Sequence, residues 1–591
     1  MLNIRIIYIC CLILTFASCK MKDEITCYGG SDSDLVQLLE KEGYTLKFYP
    51  SVSEALQNAP EKSGVLLLSD SYPVKGTSIS QEDESLIEAK SLRVLVEFPQ
   101  RIGTTDSSKS DTLNLERIVV CDSINTELPF MSLLSFNRCI LKETSDSINH
   151  PILVAAKVAG FDKAVYGLKD TETRPVLYYR TPHLLVSTTC ISHFASDRYM
   201  PEQKIKSLYE YIFRWLLSKN TVTFSSWITY ITPSYTPSDV LPENAGYESI
   251  KKGIEWFYNG HFLVNSEWKQ NWVDKYMGDG TMPIGPSIPD QFQNGDGSLG
   301  VLEGHMSEIR YDGSQLYRYW MRADVQGEAS YAFAAAGDLL ENNEYSKVAT
   351  NLIDYSFKEY RDSERNDPAS PSYGLLGWAY THKGTYYGDD NARFLLGVIA
   401  SSALLNDTEW DKKIAEGIIG NFRTTGINGF RGGSLLDTDI QKRGWKSFYD
   451  NNTVNLHAHF EAWNWACYLW LYNQTQYEPL LERSKKALSM MMASYPEQWS
   501  WTNGIQQERA RMILPLAWLY RVEPTEEHLK WLHYMTNELL KNQVTCGGIR
   551  EELGDESKSS FGHSPSNEAY GSTEASLIFD NGDPVADMLY T

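Results

Sequence analysis

Two different patterns of hydrophobic and polar positions divide the chain. Up to about Leu217, short apolar runs alternate with stretches in which apolar residues have helical spacing. The runs predict strands at 64–69, 92–98, 118–121 and 176–179, and the spacing predicts helices at 35–42 and 203–218. Because strands and helices alternate, we expect a doubly wound α/β domain over residues 19–220.

The second pattern begins after a segment rich in proline and threonine, residues 221–245, which we interpret as a linker. From Gly246 to Thr591 strand patterning nearly disappears and long amphipathic helices follow one another. Apart from a helix at 246–257, the pattern predicts two kinds of helix. Four are amphipathic along their whole length, at 344–360, 409–423, 477–494 and 525–541.

Five further helices open with polar residues and then become strongly apolar. Their first turns are marked by Asp324, Asp390, His457, Glu508 and Asp583. Such a helix can bury its body between other helices while its N-terminal end, where the macrodipole favours anions and carboxylates, faces a wet cavity. With the helix at 246–257 they make an inner ring of six, so we predict an (α/α)6 toroid for residues 246–591.

The region 246–591 resembles the six-hairpin glycosidases. The motifs that carry the resemblance are Arg322-x-Asp324-x-x-x-Glu328, Tyr387-Gly-Asp389-Asp390-Asn391-Ala-Arg393, Phe430-Arg431-Gly432-Gly433, Asn455-x-His457-x-His459-Phe-x-Ala462-Trp463 and Gly571-Ser-Thr-Glu574. The resemblance implies a toroid that is mostly found in inverting enzymes. Two features depart from it: a long Gly-rich insertion at 271–309, and a sixth inner helix that only begins near Asp583. We therefore expect an incomplete ring that is open, covered by the N-terminal domain, or truncated.

The N-terminal domain resembles another family at its end. The segment from Tyr178 through His183–Thr189 to Arg198-Tyr199-Met200-Pro201 is similar to glutamine-amidotransferase-like and trehalose-utilisation-like domains. Those enzymes carry a cysteine on a tight, glycine-flanked elbow. Cys121 is followed by Asp-Ser and Cys190 by Ile-Ser, so neither matches such an elbow. We interpret the domain as catalytically silent.

The first residues resemble the signal peptide of a bacterial lipoprotein. Residues 1–18 have a short n-region with Arg5 and an apolar stretch, and Ala17-Ser18-Cys19 resembles a bacterial lipobox. The resemblance implies that Cys19 is lipidated and becomes the mature N-terminus. Lys22-Asp23-Glu24 resembles the export tag of surface lipoproteins, so we expect an outer-membrane lipoprotein that faces the cell exterior.

Composition narrows the choice of partner. The 591 residues carry a net charge of −22, and no basic run offsets it, so a nucleic-acid partner is disfavoured. The chain has 16 Trp and 36 Tyr, whose flat faces and polar edges suit sugars. We therefore expect an oligo- or polysaccharide substrate. Neither the scattered cysteines nor the His457–His459 pair has metal-ligand spacing, and we expect neither a metal nor a cofactor.

Cleaving a glycosidic bond takes two carboxyl groups, one acid and one base or nucleophile. We pair Asp324 with Asp390, and place Glu508 or Glu574 next. The candidate catalytic residues are Asp324, Asp390, Glu308, Asp312, Glu328 and Glu508. The candidate sugar-binding residues are Arg310, Arg322, Asn391, Arg393, His457, His459, Trp320, Tyr387, Trp463, Arg509 and Glu574.

Three functions remain open from the sequence. The first is a surface-anchored glycoside hydrolase that removes a sugar from plant or host glycans. An uronic acid such as β-glucuronic acid fits the arginines, and a β-glucuronidase family of this toroid class is the resemblance that suggests it. The second is a polysaccharide lyase that uses His457 or His459, Tyr387, Asn391 and Arg393. The third is a glycan-binding lipoprotein without catalysis.

Overall fold

The computed structural model describes residues 24–571 except 108, 145–147, 149, 161, 237, 503, 546, 553–554 and 560–563. The predicted signal peptide, Cys19, Glu574 and the helix predicted at Asp583 lie outside the described residues. The described chain divides into two compact units. The first contains residues 24–157, 171–232 and 310–313, and the second contains residues 158–170, 233–309 and 314–571. Residues 221–232, within our predicted linker, thus belong to the first unit.

The first unit is built on a nine-stranded sheet with the order β10-β9-β12-β13-β14-β5-β3-β1-β2, flanked by two smaller sheets, β11-β8 and β4-β6-β7. Its strands are β1 (Glu24–Tyr28), β2 (Thr45–Phe48), β3 (Gly64–Leu67), β4 (Thr77–Ile79), β5 (Arg93–Glu97), β6 (Pro99–Ile102), β7 (Thr105–Asp106), β8 (Ser110–Thr112), β9 (Arg117–Val120), β10 (Leu133–Leu134), β11 (Ile140–Lys142), β12 (Leu153–Ala156), β13 (Thr173–Thr181) and β14 (Leu184–Ser187).

Five neighbouring strands of this sheet, β2-β1-β3-β5-β14, are parallel. Helices α1 (Asp34–Lys41) and α4 (Glu202–Leu216) cover one face, and α2 (Val52–Asn58) and α3 (Gln81–Ala89) cover the other. The predicted strands and helices of this region are confirmed, as is the two-sided helical cover. The four remaining strands pair antiparallel, which the sequence pattern did not indicate.

The cysteine thiols of the first unit are poor nucleophiles. Burial raises the pKa of the Cys190 thiol well above its usual range, and burial raises the pKa of Cys121 to about 11. Beside Cys190, the Glu97 carboxylate accepts hydrogen bonds of 2.9 Å from the backbone N–H groups of Ile191 and Ser192. The hydrogen bonds to Glu97 hold the segment that follows β14 in place. Because their pKa values are raised, the thiols of Cys121 and Cys190 are protonated at neutral pH.

The second unit is mainly helical. Its helices are α5 (Ala245–Asn259), α6 (Ser266–Lys269), α7 (Lys275–Met277), α8 (Ala323–Leu339), α9 (Asn343–Glu359), α10 (Gly388–Leu405), α11 (Asp411–Arg423), α12 (Asp437–Arg443), α13 (Trp445–Tyr449), α14 (Ala458–Thr475), α15 (Glu478–Ser494), α16 (Ile505–Val522) and α17 (Glu526–Leu540). A π-helical segment, Gln270–Asp274, joins α6 to α7, and short 3-10 helices lie at Ser363–Asn366 and Glu556–Lys558.

Short strands fill some of the connections of this unit. They are β15 (Ile284–Gly285), β16 (Gly304–Ile309), β17 (Gln315–Arg318), β18 (Thr385–Tyr387) and β19 (Ser434–Leu436), in sheets of order β15-β17-β16 and β18-β19. No helix in the described part of the chain combines the length and apolar character needed to cross a lipid bilayer.

The helices pair as predicted. Four hairpins, α8/α9, α10/α11, α14/α15 and α16/α17, pack as units, and α5, α8, α10, α14 and α16 contact one another in that order. We call α8, α10, α14 and α16 the inner helices. Each inner helix begins within a few residues of its predicted marker, and α9, α11, α15 and α17 begin and end within a few residues of the predicted stretches, because the 3.6-residue period is a local signal. The closed six-membered ring stays a prediction, since the sixth helix lies outside the described residues.

Two glycines let α8 and α10 approach more closely than side chains would allow. A Cβ on Gly327 would lie 2.6 Å from the Phe394 Cα, and a Cβ on Gly397 would lie 2.3 Å from the Gly327 carbonyl oxygen. The backbones of the two helices are therefore in direct contact. This close approach sets the spacing between the first turns of α8 and α10, where the charged residues lie.

Candidate active site

Buried polar side chains join the first turns of the four inner helices. Each of these helices starts with acidic or histidine residues and continues with an apolar body that packs into one hydrophobic core. We call the residues at these helix starts the polar cluster. Its members are Arg322, Asp324, Asp389, Asp390, Arg393, His457, His459 and Glu508.

Arg393 connects α10 to α8. Its Nη1 lies 2.7 Å from Oδ2 of Asp324, and its Nε and Nη2 each donate a 2.7 Å hydrogen bond to one oxygen of Glu328. Asp324 is fully buried and Arg393 nearly so. A planar guanidinium suits this double contact, because its N–H groups form a fork that matches two carboxylates at once.

Arg322 brings the second carboxyl group of the predicted pair close to the first. Its Nη1 lies 3.6 Å from Oδ2 of Asp324 and 3.5 Å from Oδ1 of Asp390. Its Nε donates to Glu303. Asp324 and Asp390, which we paired from the sequence, therefore share one cation. Glu303 had no signal in the sequence that set it apart from other acidic residues.

Two adjacent aspartates of α10 have pKa values that are shifted in opposite directions. Burial raises the pKa of Asp390 well above its usual range, the charges of Asp324 and Asp389 add to this, and Arg322 and Arg393 only partly oppose it. Burial also acts on Asp389, but His459, Arg511 and Arg393 outweigh it and lower the pKa of Asp389 to about 2. Burial and neighbouring charges thus favour the protonated form at Asp390, whereas the cations around Asp389 favour its anion.

The other half of the polar cluster links α10, α14 and α16. Nε2 of His459 lies 3.4 Å from Oδ2 of Asp389, and the backbone N–H of His459 donates to Glu508. Glu508 also faces Nε2 of His457 at 3.4 Å. Burial opposes its charge, but His457, His459 and Arg511 together lower the pKa of Glu508. Both histidines therefore face carboxylates.

Two carboxylate oxygens of the cluster have a spare capacity for hydrogen bonds. Oδ1 of Asp324 and Oδ1 of Asp389 are buried and accept no hydrogen bond from any described residue. Buried acceptors are almost always satisfied in folded proteins, so oxygens of this kind mark places where a ligand or water donates. Hydroxyl groups of a sugar are suitable donors. No group of three or more His, Cys, Asp or Glu side chains in the described chain is arranged to hold a metal ion.

A cavity of about 690 Å³ lies between the inner helices. At one end it is lined by Glu328, Arg393 and Trp463, each about one helical turn after a member of the polar cluster. The guanidinium of Arg511 lies 4.5 Å from the centre of the Trp463 ring, and Arg511 also donates to the carbonyl of His459. The cavity and the polar cluster are thus continuous through shared side chains.

The other predicted residues of the second unit have partners within the fold. Asn391 is buried, and its amide both donates to and accepts from the backbone of Leu376 at 2.9 Å. Trp320 and Tyr387 pack edge-on against Trp378, at 5.7 and 5.2 Å between ring centres. These side chains position the loops that precede α8 and α10.

Four further predicted residues, Arg509, Glu308, Arg310 and Asp312, lie elsewhere in the chain. Arg509 donates a 2.6 Å hydrogen bond to the hydroxyl of Tyr495 and also pairs with Glu552. Glu308 lies on β16, and Arg310 and Asp312 are assigned to the first unit. Conversely, Asp389 stood in a sequence motif without a role, and Arg511 was not among the predicted site residues. The doublet Asp389-Asp390 at a helix start was the available signal for Asp389.

The comparisons with known proteins add only distant likenesses. No protein-family model and no curated protein matches the chain. A crystal structure of a D-mannose isomerase is 14% identical, with 49% of this chain and 73% of that chain covered at a TM-score of 0.31. A sugar epimerase from a ruminal bacterium is 11% identical, with 39% and 63% covered at 0.30.

A further likeness is to an alpha-amylase from Clostridium perfringens, 11% identical, with 46% of this chain and 73% of that chain covered at a TM-score of 0.27. All three names describe sugar-processing enzymes. At these identities and TM-scores the likenesses carry no argument about this chain. The described chain consists of an α/β unit and a unit of helical hairpins. In the second unit, buried carboxyl groups lie at the starts of the inner helices.

Proposed function

We propose that the second unit is a carbohydrate-active enzyme, and specifically a glycoside hydrolase. The observation that carries the proposal is that Asp390, whose pKa is raised, and Asp324 lie beside the same cation, Arg322, within one buried cluster. Glycoside cleavage needs a protonated carboxyl group and a carboxylate on either side of the bond, and an environment that separates the pKa values of neighbouring carboxyl groups supplies both.

In the proposed reaction, Asp390 transfers its proton to the glycosidic oxygen as the bond from that oxygen to C1 breaks. A water attacks C1 and gives its proton to Asp324, whose Oδ1 has spare acceptor capacity. The products are the free sugar and the alcohol that was attached to it. Arg322 lies beside both carboxyl groups and is more exposed than its neighbours, so it is the cation that we assign to a substrate carboxylate. An uronic acid such as β-glucuronic acid is the sugar that this suits.

The test is turnover of the full chain on a panel of aryl glycosides and uronic-acid-rich glycans. We expect Asp390→Asn and Asp324→Asn each to lower turnover by about 10²–10⁴-fold. Asp439→Asn, an exposed aspartate of α12, is the matched control and should turn over normally. Unchanged turnover in both Asp390→Asn and Asp324→Asn would show that the polar cluster is not the catalytic site. NMR of the first-formed anomer tests inversion, which we also propose.

A second candidate is a polysaccharide lyase, which the contact between His459 and Asp389 favours. A carboxylate that holds an imidazole fixes the orientation of its ring, and a lyase uses a positioned base to remove the C5 proton of an uronic acid. An unsaturated, ultraviolet-absorbing product from the same panel would show that the enzyme is a lyase and not a hydrolase. Glycan binding without turnover of any substrate would show that the protein is a binding protein.

We also propose, from the first residues alone, that the protein is an outer-membrane lipoprotein anchored through Cys19 and facing the exterior. In the expressing bacterium, Cys19→Ala should move the protein from the membrane fraction to the soluble fraction. Protease added to intact cells should degrade the wild-type protein. Membrane association that survives Cys19→Ala would overturn the anchor, and protection from the protease would overturn the exterior location.

A further inference from the structure

The cavity between the inner helices continues away from the polar cluster as an apolar space. On α8 it extends from Glu328 to Tyr331, on α10 from Arg393 to Ala400, and on α14 from Trp463 to Trp470. On α16 it is lined by residues between Ala510 and Trp518. These stretches run in the same direction from the helix starts, so one end of the cavity is polar and the other is far from the charged groups.

The walls beyond the polar end offer almost nothing to a sugar. Apart from Glu328, Arg393, the Tyr331 hydroxyl and the indole N–H groups, the lining side chains are hydrocarbon. They include Leu396, Ile399, Trp463, Trp470, Ile513, Leu514 and Trp518. A sugar unit there would lose its hydrogen bonds to water without replacement, at about 1–3 kcal/mol for each unsatisfied group. Three tryptophans and a tyrosine instead present flat faces that suit a planar apolar ring.

The apolar wall is also accessible. Tyr331 is 47% exposed and Leu514 is 38% exposed, although both line the cavity. The volume of the cavity, about 690 Å³, lies in the range of about 300–1,000 Å³ that is typical of small-molecule sites. Sites of this kind combine mostly apolar walls with a few polar groups that fix orientation, and Glu328 and Arg393 provide those groups here.

We infer that this cavity binds a planar, apolar aglycone, that is, an aromatic or fused-ring group attached to the sugar that the polar cluster receives. The inference rests on the proposed function and specifies its substrate class. The enzyme would then act on glycosides of aromatic or polycyclic alcohols, with the ring system between α8, α10, α14 and α16. The bond to be cleaved lies near the end formed by Glu328 and Arg393.

The experiment measures binding and turnover separately on the full chain. The binding probe is 2-naphthol, followed by quenching of tryptophan fluorescence and by calorimetry. The substrates are the naphthyl and methyl glycosides of whichever sugar the panel selects. The variant Leu514→Glu places a charge in the cavity at a partly exposed position, and Tyr331→Glu does so from α8. The matched control is Leu404→Glu, because Leu404 is also 38% exposed but does not line the cavity.

We expect Leu514→Glu and Tyr331→Glu each to weaken naphthol binding by at least ~10-fold and to raise KM for the naphthyl glycoside but not for the methyl glycoside. Leu404→Glu should behave as wild type. Absence of naphthol binding, or binding that neither variant weakens, would overturn the cavity assignment and show another occupant, such as residues 572–591. Asp390→Asn should still bind naphthol. Naphthol binding without turnover of any glycoside would overturn the proposed function alone.

Discussion

Nε2 of His459 lies 3.4 Å from Oδ2 of Asp389, a contact that joins the first turn of α14 to the first turn of α10. The neighbouring carboxyl group, Asp390, has no imidazole partner: burial and the charges of Asp324 and Asp389 raise its pKa, and Arg322, 3.5 Å away, only partly opposes them. Two adjacent aspartates of one helix therefore have pKa values that are shifted in opposite directions. The proposed chemistry depends on this separation, because the charge of Asp389 helps to keep the proton on Asp390.

The first prediction concerns the alkaline limb of the pH–rate profile and the influence of His459 on it. With His459 in place, the pKa of Asp389 is about 2, so Asp389 stays ionised throughout the range in which activity is measured. In His459→Ala the pKa of Asp389 rises, because burial then acts against less compensation. Because the charge of Asp389 helps to hold the proton on Asp390, we expect the alkaline limb to move to lower pH, seen by measuring kcat from acidic to alkaline pH. Superimposable profiles for the two proteins would contradict this role.

In the wild-type profile the alkaline limb reports on Asp390 itself. Its pKa is raised, so the acid form persists to a pH at which an ordinary aspartate would be fully ionised. Turnover should fall as pH rises through that pKa, because the proton donor is lost. Asp390→Asn should lose this limb together with most of its activity. An alkaline limb of wild-type shape in the residual activity of Asp390→Asn would assign the proton donor to another group.

The second prediction concerns the stability that Arg393 gives to buried Asp324. In Arg393→Met, Asp324 keeps only the 3.6 Å contact with Arg322, and we expect a loss of about 3–5 kcal/mol in the free energy of unfolding. Adding Asp324→Asn to that variant removes the uncompensated charge and should restore part of the loss. Denaturant unfolding of both single variants and the double variant measures the coupling. Strict additivity would mean that the two side chains do not interact.

The sequence predicted the helices of the second unit well because helix formation leaves a local pattern. The first turn of α10, for example, carries Gly388, Asp389 and Asp390, and the helix is mostly apolar from Phe394 onward. The direction of each side chain around the helix axis is set by tertiary packing and has no local signal. Asn391 is next to Asp390 in the chain, yet its amide holds the backbone of Leu376.

Contacts between segments that are distant in the chain could not be predicted from the sequence either. Asp312 is close to α8 in the chain and was predicted for that reason, but it is assigned to the first unit. Glu303 was not predicted, although it pairs with Arg322. The antiparallel half of the large sheet, β13-β12-β9-β10, was likewise missed, because pairing between strands is non-local.

The third prediction concerns Glu461, a buried residue of the first turn of α14. Its carboxylate accepts hydrogen bonds from the backbone N–H groups of Arg431 and Gly432 and from Asn455. Burial outweighs these bonds and raises the pKa of Glu461 from 4.5 to about 7. A carboxyl group whose pKa is raised by folding contributes stability below pH 4.5, and that contribution is lost as pH rises from 4.5 to 7.

In Glu461→Gln this pH dependence disappears, and the amide NH2 faces a backbone donor. We expect a loss of about 1–3 kcal/mol at pH 5 and a shallower decline of stability between pH 4.5 and 7. Thermal unfolding across that range measures both effects. Glu551 also has a pKa raised to about 7, mainly by burial, so variant and wild type are compared directly. Glu482→Gln, an exposed residue of α15, is the control; a variant slope equal to that of wild type would contradict the assignment.

The last prediction tests the close approach of α8 and α10. A methyl group at Gly327 would meet backbone atoms of Phe394 at 2.6 and 2.8 Å, and neither atom can move away as a flexible side chain would. Alanine is favoured over glycine by about 1 kcal/mol within a helix, but the two helices must separate to admit it. We therefore expect Gly327→Ala to destabilise the protein by about 1–3 kcal/mol.

Gly253→Ala in α5 separates helix propensity from packing. No atom lies within 4 Å of a Cβ built on Gly253, so this substitution should stabilise the protein by about 0.4–1 kcal/mol. Because the separation of α8 from α10 also lengthens the 2.7 Å contact between Asp324 and Arg393, Gly327→Ala should lower turnover, whereas Gly253→Ala should not. Thermal unfolding and kcat are measured for Gly327→Ala and Gly253→Ala to test both expectations. If Gly327→Ala were as stable and active as Gly253→Ala, the direct contact between the two helix backbones would not exist.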